Sequence, residues 1–221
     1  MNRIFIFHNK NVDMCIKSIK KYNPNASVKI LSEDDLKEYE KNIPIKKNEK
    51  LYNDYLRIYI AYLEGGLILD GNIELRENLS NLFKNDIFLG FDSENTIATN
   101  VLWNKNKNSE VLKSLLNAIE ENVNLNITEI FSKVFSKDFS IVYNSLMVID
   151  KKIYIYPYDY FYPLDYEGHG KNISENTKMV FYKSDKLSRF AKTKYSIYKK
   201  HGPYALRYLL TLTDAFRNKI G

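Results

Sequence analysis

Residues 51–72 read LYNDYLRIYIAYLEGGLILDGN, and the fold turns on this stretch. Leu51, Tyr55, Ile58, Tyr59 and Tyr62 recur at helical spacing, so Lys50 to Leu63 is predicted to be a helix with one apolar face. Glu64-Gly65-Gly66 stops it, because glycine supplies the backbone conformation that ends a helix. Leu67-Ile68-Leu69 then reads as a strand buried on both faces. It ends at Asp70-Gly71-Asn72, and Ile73-Glu74-Leu75 continues in extended alternation. A helix delivered through Gly-Gly into a buried strand is half of an α/β unit, and the strand's carboxyl end is where such sheets take their ligands.

The flanking sequence extends the pattern. Arg3 to Phe7 is an apolar strand, and Val12, Cys15, Ile16 and Ile19 share one helical face within Asn11 to Lys21. Ser27 to Leu31 alternates as a second strand, and Ser32-Glu33-Asp34-Asp35 is a capped helix start. Downstream, Ile87 to Phe91 and Val101 to Trp103 are short strands, and Ser109 to Glu121 is a helix with Leu112, Leu115 and Ile119 inward. Thr128 to Val134 and Ile141 to Ile149 carry weaker patterns. Tyr154 to Tyr156 is a strand, followed by an aromatic loop through Leu164 that Pro157 and Pro163 are expected to keep from being helical. Such alternation predicts an α/β fold: a mixed, mainly parallel sheet flanked by helices.

Composition narrows the function classes. The chain has 221 residues, 44% hydrophobic and 27% charged, the balance of one globular domain. Its single cysteine, Cys15, excludes an intrachain disulfide and a cysteine zinc site, and is expected in the core. No signal-peptide pattern and no apolar run of membrane-spanning length occur, so a cytoplasmic location is expected. There is no Gly-Lys-Ser/Thr phosphate loop and no hydrolase-like Ser/His/Asp pattern.

Charge is uneven. From Lys183 onward ten basic residues face two acidic ones, a net of +8 in a chain of +6, which leaves −2 for everything before. Residues 1–182 are expected to form the main α/β domain and 183–221 a basic, amphipathic helical extension packed on it. With its Tyr, Leu and Phe residues, that tail reads as a solvated or packed helix or as a peripheral contact at the inner membrane face; a nucleic-acid patch is the weaker reading.

The ordered set Asn53-Asp54-Tyr55-Leu56-Arg57, Gly65-Gly66, Asp70-Gly71-Asn72, Asn85 to Phe91, Ile153 to Pro157 and Ile173 to Thr177 spans nearly the whole chain. It resembles the glycosyltransferases with a sugar-binding region and an Asp-x-Asp motif, family 32, which have the GT-A fold. The resemblance implies transfer of a hexose from a nucleotide-sugar donor, with retention, to a surface-glycan or lipid-linked oligosaccharide acceptor. It implies that Asp54 and Arg57 hold the donor sugar and the region near the diphosphate. Asp70 matches the first motif Asp, which approaches the ribose and the metal's water shell, and Asn72 stands where the family has the Asp that ligates Mn²⁺ or Mg²⁺. Its neutral amide oxygen would hold a cation more weakly. Asp54 and Arg57 also sit three apart, as a plain surface ion pair would.

Other residues are placed by the sequence alone. His8 follows the first strand and could face the nucleotide; His169 could meet acceptor; His201 belongs to the tail. The family's His-rich, Ser-Trp-containing closing segment is replaced here by Met179 to Asp185, where Lys183 or Lys186 could provide a fixed positive charge. The altered motif leaves a second reading open, a noncatalytic, degenerate transferase that binds a nucleotide sugar or a partner enzyme.

Overall fold

The structure is a computed structural model that describes residues 2–7, 12–93, 96–135, 145–164 and 173–182. The chain opens β1 (Arg3–Phe7), α1 (Asp13–Tyr22), β2 (Ser27–Leu31), α2 (Glu33–Glu40), α3 (Tyr52–Glu64), β3 (Gly66–Asp70) and β4 (Ile73–Leu75). It continues with a single 3₁₀ turn (Leu82–Lys84), β5 (Ile87–Phe91), β6 (Ile97–Asn104), α4 (Glu110–Glu121), α5 (Ile127–Val134), β7 (Met147–Ile149), β8 (Ile153–Tyr156), α6 (Tyr158–Phe161) and β9 (Met179–Phe181). Among the described residues the main sheet has seven strands in the order β2-β1-β3-β6-β5-β8-β7. β1 is parallel to β2 and β3, and β5 is parallel to β8, while β6 and β7 run the other way. The sheet is thus mixed and mainly parallel, as expected.

Local chemistry explains the elements. Ser32 caps α2 and exchanges bonds with Asp35, a capping box that satisfies two helix-end donors. Asn126 and Glu129 do the same for α5. Gly65 and Gly66 adopt φ of 59° and 99°. Gly66 lies so close to β1 that a Cβ there would meet the Arg3 carbonyl oxygen at 2.7 Å, so glycine both ends α3 and lets β3 seat against β1.

Each face of the sheet carries its own core. Ile68, Leu102 and Leu89 face α3, α4 and α5, packing with Tyr55, Ile58, Leu115 and Phe131. Leu67, Leu69, Val101 and Trp103 face α1 and the aromatic group of Phe83, Phe88 and Phe161. Cys15 is fully buried there, and burial pushes its thiol up to about 12. β4 and β9 form a separate antiparallel ribbon beside the motif turn.

Two expectations change. The stretch after Pro157 contains the short helix α6, because Pro157 stands at the N-cap, where its missing N–H costs no helix bond. The weakly patterned stretches resolve into α5 and β7. The 183–221 extension, His8, His169, His201, Lys183 and Lys186 lie outside the described residues. No helix among the described residues is long and apolar enough to cross a membrane.

Candidate active site at the ends of β1 and β3

Asp70 closes β3 beside Phe7, the last residue of β1, and the Gly71 amide donates to the Phe7 carbonyl at 3.1 Å. This is the carboxyl end of the parallel strands. Asp70 is only 5% exposed. Arg57, two turns before the end of α3, clamps it: Nε donates to Oδ1 and a terminal guanidinium nitrogen to Oδ2, each at 3.0 Å. Asn100 on β6 adds a bond from its amide nitrogen to Oδ2 at 2.6 Å. The guanidinium carbon also stands 5.4 Å from the centre of the Phe7 ring, which fixes the plane of the fork.

Asp54 begins the same helix and is half-buried. It does not pair with Arg57 as an i,i+3 ion pair; its Oδ1 accepts from the Thr99 hydroxyl at 2.5 Å, while Arg57 turns to Asp70. Burial raises the Asp54 carboxyl above its ordinary value, against the lowering effects of the Thr99 bond and the Arg57 charge. Tyr162 is buried beside the same charges. Burial first, then the fields of Asp70 and Asp92, raise its hydroxyl well above the usual range, so it stays a neutral O–H.

Thr99 and Asn100 are adjacent, and a regular strand would aim them at opposite faces. β6 is irregular here. Its pairing with β5 shifts register between Phe88 and Gly90, and Ala98 and Val101, three residues apart, both pack into the α1-side core. A bulge of this kind re-aims side chains, and it lets one strand serve both carboxylates. Sequence reasoning missed both residues; the available signal was two consecutive polar residues inside an apolar strand.

Asn72 faces elsewhere. Its amide nitrogen donates to the Tyr182 carbonyl at 2.5 Å, and the Tyr182 amide returns a bond to the Asn72 carbonyl at 3.1 Å. The Tyr182 hydroxyl donates to Glu74 of β4 at 2.6 Å, so two bonds tie the motif turn, and a third ties β4, to the end of β9. Asn72 Oδ1 is buried and has no hydrogen-bond partner. The residues do not fit a divalent cation well. Asp70 has both oxygens engaged by donors, Asn72 offers one neutral oxygen, and no group of three His, Cys, Asp or Glu side chains converges among the described residues.

Against solved structures, the chain is similar to the glycosyltransferase GlyE of Streptococcus pneumoniae TIGR4, with a TM-score of 0.53 and 13% identity over 96% of this chain and 65% of that one. The chain therefore has a glycosyltransferase fold, and it spans about two thirds of the length of GlyE. The galactosyltransferase LgtC, solved with donor and acceptor sugar analogs, aligns at a TM-score of 0.41 and 14% identity over 95% of each chain. The PaToxG glycosyltransferase aligns at 0.41 and 15% identity over 63% of this chain and 69% of that one. No family model matches the sequence, and no curated protein matches it.

Proposed function

We propose that this chain is a nucleotide-sugar-dependent hexosyltransferase of the family 32 type, retaining at the anomeric carbon, that acts on a surface-glycan or lipid-linked oligosaccharide acceptor. One observation carries the reading: Asp54, Arg57, Asp70, Thr99 and Asn100 converge at the carboxyl ends of β1 and β3 in a glycosyltransferase fold. Carboxylates that accept, beside guanidinium, amide and hydroxyl groups that donate, are the chemistry that reads sugar hydroxyls. Asp70 and Arg57 would orient the donor, and Asp54 would accept from a hexose hydroxyl. The acceptor hydroxyl then attacks the anomeric carbon from the face the nucleoside diphosphate leaves, the bond to the diphosphate breaking as the new glycosidic bond forms and the hydroxyl proton passing to the departing diphosphate oxygen. Orientation and water exclusion are what these residues supply to that step.

Two sequence expectations outside the described residues complete the proposal: His8 toward the nucleotide, and the basic 183–221 extension toward a membrane-bound acceptor at the inner face. Liposome flotation with anionic lipid tests the latter, and absence of binding would remove it. The noncatalytic reading keeps one specific support, the commitment of Asn72 to Tyr182.

A panel of UDP- and GDP-sugars, followed for hydrolysis and transfer by wild type, Asp54→Ala and Asp70→Ala, decides between the two. Turnover by wild type that falls by about a hundredfold or more in Asp70→Ala supports the transferase. Binding without turnover on any donor supports the noncatalytic protein.

A further inference from the structure

We infer that the site takes its nucleotide-sugar donor without a divalent cation, with Asp70 serving as a sugar-hydroxyl acceptor held by Arg57 and Asn100, and Asn72 serving as a strut for β9. The inference rests on the transferase reading above and specifies how its site binds.

A divalent cation asks for hard oxygen atoms with free lone pairs in a fixed array. Three donors already occupy the Asp70 carboxylate, which leaves about one lone pair, on Oδ1; for Asp70 to supply more than that, it would have to leave Arg57. That would strand a guanidinium whose side chain is 14% exposed, unpaired and next to a second positive charge. The Phe7 ring holds the guanidinium in place. Asn100 adds a third donor to the same carboxylate, so two side chains from different elements must move together.

Asn72 argues the same way from the other side of the turn. A metal-ligating side chain has its oxygen directed at the ion. Here the amide is pinned through its nitrogen to the Tyr182 carbonyl, within a pair of bonds that also uses the Asn72 backbone, and its Oδ1, buried without a hydrogen-bond partner, offers one neutral oxygen where a divalent cation asks for several hard, charged ones. An Asp at this position would set a carboxylate against that carbonyl, so the Asn is what the strut requires. A neutral hydroxyl suits the Asp70 cluster better than a cation does. It can donate to a carboxylate lone pair and accept from a guanidinium N–H that Asp70 does not use, while the ion pair remains intact.

Calorimetric titration of the full chain with UDP-glucose, UDP-galactose and GDP-mannose, each in Mn²⁺ and in EDTA, tests this. Titration of Mn²⁺ alone, followed by the free-ion paramagnetic resonance signal, runs beside it. The expected result is at least one donor whose Kd agrees within about twofold in the two media, weakened about tenfold or more in both by Asp70→Asn, and a Mn²⁺ signal that the protein does not diminish. Binding that EDTA abolishes and Mn²⁺ restores overturns the inference and leaves the transferase reading standing. Absence of binding by every donor in both media brings down the reading and the inference with it. If Asp70→Asn does not fold, the wild-type comparison between media decides alone.

Discussion

β3 is bracketed by two acid–arginine pairs, one at the end of α3 just before it and one at its own last residue, and the two pairs are built differently. At its start, Glu64 meets Arg3 at 3.4 Å, with side chains 28% and 41% exposed, and shares its carboxylate with Lys107 at 3.1 Å and the Tyr39 hydroxyl at 3.3 Å. At its end, Asp70 meets Arg57 with two bonds, with side chains 7% and 14% exposed. The first pair is a loose, wet network that helps lay β1, α3 and β3 together. The second is nearly dry and geometrically fixed. Water would compensate the loss of either partner in the first, and nothing but another ligand would do so in the second. An acid and an arginine therefore make a wet staple at one end and, at the other, the dry, fixed pair on which the proposed donor site rests.

That contrast can be broken by substitution, and the largest effect is expected at the dry end. Arg57→Ala leaves Asp70 buried and unpaired and should lower unfolding stability by about 3–5 kcal/mol in urea denaturation. An unchanged midpoint would put Asp70 in contact with water. Asn100→Ala removes one donor to the same carboxylate and should cost about 1–3 kcal/mol by the same measurement, less than Arg57→Ala. Gly66→Ala puts a Cβ against the Arg3 carbonyl at positive φ and should cost more than about 1 kcal/mol, with loss through backbone strain and not through the nearby ion pair. Arg3→Ala, at the wet end, should cost less than about 1 kcal/mol and lose even that in high salt.

The smallest effect concerns pH. Because the folded Asp54 carboxyl titrates above its ordinary 3.8, the folded state binds its proton more tightly than the unfolded chain does. Its contribution to stability is therefore present below 3.8 and lost as pH rises through the raised value. Asp54→Asn keeps an acceptor for Thr99 but does not titrate. Relative to wild type it should gain stability across that window, and denaturation at a series of pH values checks the sign.

Much of this site was legible because it is local in sequence. Asp54, Arg57 and Asp70 lie on one helix, one glycine pair and one strand, and hydropathy period plus the Gly65-Gly66 stop suffice to place them. The pairing was not legible. Helical spacing offers Asp54 to Arg57, and only the sheet order brings Asp70 under the fork instead. Thr99 and Asn100 were lost because the apolar run Val101 to Trp103 marks only the regular half of β6, and a bulge has no hydropathy period. The α6 turn was missed because a proline at an N-cap and a proline that breaks a helix look alike until the capping bond is seen. Asn72 shows the limit of motif reading, since its bonds to Tyr182 join residues 110 apart in sequence.

The bulge in β6 also says which changes in chain length this site tolerates. Substitutions at Thr99 or Asn100 remove one contact each and leave the other. Deleting either residue removes one of these side chains and also shortens the stretch from Ala98 to Trp103, five steps on β6 that oppose two on β5, so the pairing on one side of the irregularity would have to slip. One carboxylate would then lose its β6 partner, with no residue changed in the helix or the motif. The reading frame of a single strand is thus part of how the candidate site is built, and a one-codon deletion there should do more harm than a conservative exchange at either position.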